Sequence, residues 1–116
     1  MQQIALDVKC PSWNDMYAGR HWSLRKKIAD EIHSLVKYAV YRKNKETFKK
    51  CRIEFVICYK GNRRHDPDNC NIKLFIDGLV VAGIIPDDNS KVIKEITIKC
   101  HTGGLKDKVL ILIKEA

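Results

Sequence analysis

Residues 51 to 60, CRIEFVICYK, constrain the fold more than any other stretch. Ile53, Phe55, Ile57 and Tyr59 recur at every second position, the period of a β-strand. The positions between them include Val56 and Cys58, so both faces carry apolar groups. Such a strand belongs in the middle of a sheet, covered by a helix.

The flanking segments supply the partners. Residues 2 to 9, QQIALDVK, mix β-branched and polar residues and read as a first strand. CPSWNDMYAGRH is a loop by its Pro, Ser, Asn, Asp and Gly content. From 24 to 41, Leu24, Ile28, Ile32, Leu35, Val36, Ala39 and Val40 form one apolar stripe at helical spacing, with Ser23 as a candidate cap. A second helix is expected over 71 to 81, with Gly83 closing it. KVIKEITIKC and KVLILIKEA read as two more strands, and the glycines of HTGGLKD suit a hairpin between them. The expected fold is therefore α+β, a small mixed sheet of about four strands with two helices packed on it. Its order is β-α-β-α-β-β, within a single domain covering 1 to 116.

No stretch approaches the ~20 apolar residues of a membrane span, and MQQIALDVK lacks the layout of a secretion signal. A cytoplasmic location is expected. The five cysteines have no C-x-x-C pair and are expected as reduced thiols. Lys and Arg number 22 against 14 Asp and Glu, a net charge of +8 that favours anionic partners such as nucleic acid.

Against that charge the carboxylates crowd into two clusters, RRHDPDN and PDDN. In an extended segment Asp66 and Asp68 would point the same way. Asp87 and Asp88 follow Pro86, and Asp77 lies within the second helix. Hard carboxylate oxygens suit Mg²⁺, and Lys60, Arg63, Arg64 and Lys73 would offset their charge and suit a polyanion. Metal-assisted phosphodiester hydrolysis is the chemistry such a set permits. Either cluster alone also suits a turn or a helix cap. An EF-hand does not fit, because Cys70 and Asn71 stand where its loop needs an oxygen ligand and a glycine. RKNKETFKK, with Arg42, Lys43 and Lys45, is either a solvated connector or a contact for DNA phosphates.

The stretch RRHDPDNCNIKLFIDGLVVAGIIPDDNSKV resembles the RusA family of Holliday junction resolvases, small endonucleases of bacteria, phages and prophages. The shared pattern is basic residues, D-x-D-N, a lysine, an F/L-x-D-x-L helix, A-G, and D-D. PSWNDMYAGRHWS is similar to the P-S-x-N-x-x-Y loop of that family. The resemblance implies a homodimer that binds four-way DNA junctions and cuts two strands symmetrically with Mg²⁺, in recombination and repair. By this resemblance Asp66, Asp68 and Asp88 hold the metal and Lys73 assists catalysis. Asp77 and Asp87 match accessory acids. Lys60, Arg63, Arg64, Arg42, Lys43 and Lys45 are expected on DNA. The interval from Asn69 to Lys73 is one residue longer than in the family, and the loop is expected to absorb it, since the Lys73-to-Asp77 spacing is intact. The alternatives are a non-catalytic module for branched DNA and a nuclease for flaps or forks.

Overall fold

The computed structural model describes every residue except Ala18, Arg20 and residues 42 to 44. Its elements are β1 (Gln2–Leu6), α1 (Trp13–Tyr17), α2 (Trp22–Tyr41), β2 (Cys51–Lys60), α3 (Lys73–Val81), β3 (Ile93–Gly104) and β4 (Lys108–Glu115), with a 3₁₀ turn at Pro67–Asn69. The fold is α+β, with one four-stranded mixed sheet in the order β1-β4-β2-β3.

β2 is central, as its alternation requires. It runs antiparallel to β4, with Phe55 opposite Ile111, and parallel to β3, with Phe55 opposite Ile98. Cys51, Ile53, Phe55, Ile57 and Tyr59 face a common core with Val36 of α2 and Phe75 and Leu79 of α3. Burying a side chain of this size contributes about 1.5–3 kcal/mol relative to leaving it exposed. On the opposite face Val56, Leu110 and Leu112 are half-buried, and no described helix lies over them. One face of β2 is thus covered as expected, and the other is not.

The expected β3–β4 hairpin does not form. β3 and β4 flank β2 on either side; His101 to Gly104 continue β3 beside β2, and residues 105 to 107 lead to β4, with the Lys60 N–H donating to Asp107 Oδ1 at 2.9 Å. Placing β2 between β3 and β4 pairs the backbone groups along both of its edges. The parallel β2–β3 pair needs a crossover connection, and residues 61 to 92, which include α3, provide it.

Three local differences have local causes. β1 ends at Leu6, before Lys9. The expected loop contains α1, because Ser12 Oγ accepts the Asp15 N–H at 2.9 Å and Ser12 O accepts the Met16 N–H at 3.1 Å. α2 begins at Trp22, two residues early, because the His21 carbonyl accepts from the Leu24 and Arg25 N–H groups. Ser23 therefore lies inside the helix, with its own N–H donating to His21 Nδ1.

α3 ends as its glycine predicts. Gly83 has φ +76°, and its N–H donates to Val80 O while the Ile84 N–H donates to Leu79 O. These two bonds make a Schellman cap. At mid-helix, Gly78 lets α3 approach α2 closely: a Cβ there would stand 3.1 Å from Val36 Cγ2.

Candidate functional site

The two stretches that carry the family resemblance, far apart in sequence, are bonded to each other. The Asn14 N–H donates to Asn69 Oδ1 at 3.2 Å, and the Asn71 N–H donates to Pro11 O at 2.9 Å. Ser12 and Cys70 form an isolated antiparallel bridge. The start of α1 is therefore clamped against the D-P-D-N turn.

Within that turn only Asp66 is extended, at φ −100° and ψ 135°. The chain then folds into the 3₁₀ turn, with the Asn69 N–H donating to Asp66 O and the Cys70 N–H to Pro67 O. Proline's fixed φ suits the first position of a helical turn. The expectation that Asp66 and Asp68 share one side of an extended segment is corrected accordingly. Asp66 pairs with Arg64 at 3.2 Å, while Asp68 is exposed on the turn.

The second cluster gathers on Lys73, the first residue of α3. Its Nζ lies 3.4 Å from Asp77 Oδ1, one helical turn on, and 3.5 Å from Asp88 Oδ2. Asp87 braces the loop, its Oδ1 accepting the Asp88 N–H at 2.7 Å and its Oδ2 the Asn89 amide at 3.1 Å. The nearby Asp77 charge raises the Lys73 pKa, with its hydrogen bonds to Asp77 and Asp88 adding to the effect. Hydrogen bonding with Asp87, then with Lys73, holds the Asp88 carboxyl below its usual range. α3 begins at Lys73, with Ile72 as the residue that precedes it, and the Lys73–Asp77 pair spans one helical turn.

Lys73, Asp77, Asp87 and Asp88 are thus brought together. Among the described residues no hydrogen bond or ion pair joins Asp66 or Asp68 to them, and no three His, Cys, Asp or Glu side chains are grouped closely enough to hold a metal ion. The donor chemistry still suits Mg²⁺, since all the candidate ligands are carboxylates with solvent access. Arg63, Arg64 and Lys60 are exposed beside the turn. Lys45 is not part of this group: its Nζ donates to Ala82 O at 3.2 Å, at the far end of α3, roughly 13 Å along the helix from Lys73. Arg42 and Lys43 lie outside the described residues.

Behind the turn sits a cluster that sequence reasoning missed. The rings of His65 and Tyr59 stack 3.6 Å apart at 6°, and the Tyr59 hydroxyl donates to Cys10 O at 3.1 Å, beside Cys70 Sγ at 3.5 Å. Burial, then Cys70, pushes the Tyr59 phenol up, so it stays a neutral donor. All five cysteines are free thiols. Asn71 is 1 % exposed, and among the described residues neither its Nδ2 nor its Oδ1 has a partner. No single motif signals these groups, because they meet only through tertiary contacts.

No protein-family model matches the chain, and no curated protein matches it either.

Proposed function

We propose that the chain is a Mg²⁺-dependent endonuclease of the RusA type, which resolves four-way DNA junctions as a homodimer by paired symmetric cuts. The observation that supports this reading most is Lys73, a solvent-accessible cation held between Asp77 and Asp88 at the start of α3. This arrangement presents a cation and carboxylates together at the surface, as a site for a phosphodiester would need. Asp66, Asp68 and Asp88 would hold the metal, which supplies an activated water and stabilises charge on the transferring phosphate. Lys73 would neutralise the scissile phosphate or the leaving oxygen. Arg63, Arg64 and Lys60 would bind the DNA backbone beside the turn, consistent with the net charge of +8.

The test is cleavage of a labelled synthetic four-way junction, with Mg²⁺ and with EDTA. Paired symmetric cuts that require Mg²⁺ are expected. Tight binding without cutting under any divalent metal would sink the enzyme reading in favour of a branched-DNA-binding module. Unpaired cuts, or a preference for flaps or forks, would replace the junction as substrate.

A further inference from the structure

Trp13 and Tyr17 stack on α1 with ring centroids 5.7 Å apart and planes 18° apart. The guanidinium carbon of Arg25, on α2, stands 5.1 Å from the centroid of the Tyr17 ring. These three side chains form a short column of flat π and cationic groups. The column is not what anchors α1 to the core, because Met16, 2 % exposed, does that. Tyr17 is 54 % exposed, so large aromatic surface is left in water on a helix of only five residues.

The position of this surface gives it a use. α1 is bonded to the D-P-D-N turn through Asn14 and Asn69, and its leading residue Ser12 bridges to Cys70. The helix that carries Trp13 and Tyr17 is therefore fastened directly to the turn that carries Asp66 and Asp68. We infer that the Trp13–Tyr17–Arg25 column is a stacking platform for an unpaired nucleobase of a DNA strand whose backbone lies at the acidic turn. This inference rests on the nucleic-acid reading above and adds a base-binding subsite to it. Aromatic rings accept any base face, and a guanidinium beside them strengthens both stacking and attraction to phosphate. Base pairs at the crossover of an opened junction lose a stacking neighbour and open more readily than those of a regular duplex, so the platform would favour branched over linear duplex DNA.

The experiment uses the Trp22→Phe chain, in which Trp13 is the sole tryptophan, in EDTA so that no strand is cut. Trp13 emission is followed on adding octathymidylate, or an abasic strand of the same length and charge. Quenching by the thymidylate and not by the abasic strand is expected. Tyr17→Leu keeps apolar bulk and should weaken junction binding roughly 5- to 150-fold, the effect of losing one base–aromatic stack. Tyr17→Phe should restore it, with circular dichroism confirming that both variants fold. Equal quenching by the two strands, or junction affinity unchanged in Tyr17→Leu, overturns the platform. If the unsubstituted chain still cuts junctions in Mg²⁺ while the platform test fails, only the platform falls. If it neither binds nor cuts any DNA, both readings fall together.

Discussion

Lys73 on α3 and Asp88 in the loop beyond it meet at 3.5 Å across 15 residues of chain. Asp77 holds the same ammonium at 3.4 Å. The lysine pKa is raised, chiefly by Asp77, so any stability from these contacts is fully present below the ordinary lysine pKa and fades as pH rises through the raised value. The Asp88 pKa is lowered, so its share is present above the ordinary carboxylate pKa and fades as pH falls through the lowered one. Across the neutral range both groups are charged. A titration of the lysine side chains by NMR should show Lys73 above the ordinary lysine value. Asp77→Asn should bring it down further than Asp88→Asn, and equal effects would mean that Asp77 is not its principal partner.

Asp68→Asn should leave junction affinity within about threefold, a difference of well under 1 kcal/mol, while abolishing paired cleavage. The side chain is exposed on the 3₁₀ turn and no core contact depends on it, so folding should be unaffected. Cleavage at the unsubstituted rate would remove Asp68 from the metal site.

Arg63→Gln with Arg64→Gln should weaken junction binding and reduce the slope of log affinity against log salt by up to roughly 0.9 per lost phosphate contact. Arg64 also pairs with Asp66, but both side chains are largely exposed, and such a pair adds little to stability. A salt slope identical to that of the unsubstituted chain would place this pair off the DNA.

Gly78→Val should destabilise the fold by about 1–3 kcal/mol, the range for overpacking a filled interface. Any side chain at Gly78 points at Val36, and a branched one would force α3 away from α2. Leu79→Ala, at a fully buried neighbour, should cost about 2–5 kcal/mol by opening a cavity. Denaturant midpoints would measure both, and a neutral Gly78→Val would show that the helices separate freely.

Elements with a long apolar period were legible in the sequence. β2, α2 and α3 each hold enough repeats for one face to stand out, and Gly83 marks the end of α3 in the way its positive φ demands. α1 was not legible, because five residues are too few to display a period and its Ser, Asn and Asp content equally suits a loop. The hairpin expected at HTGGLKD does not form because turn chemistry is local, whereas the pairing of β2 with both β3 and β4 depends on the whole sheet. The grouping of Lys73 with Asp77 followed from helical spacing. That of Lys73 with Asp88 depends on how the loop returns along α3, which no spacing encodes. The clamp between Asn14 and Asn69 is invisible in one dimension for the same reason.

The parallel pairing of β2 with β3 has one more consequence, for the order of events in synthesis. Asp66, Asp68, Lys73, Asp77, Asp87 and Asp88 all lie on the crossover between these two strands. That stretch leaves the ribosome before β3, and before β4, which fills the other side of β2. Non-local pairing of this kind closes late, because the long loop must be ordered before any strand contact rewards it. A nascent chain halted before β4 would therefore carry every candidate acid while β1 had no partner and β2 was open along one edge. The proposed nuclease would stay silent beside the nucleic acids of its own synthesis until its last strand had emerged, and a chain truncated after Asp107 would check this by failing to bind a junction.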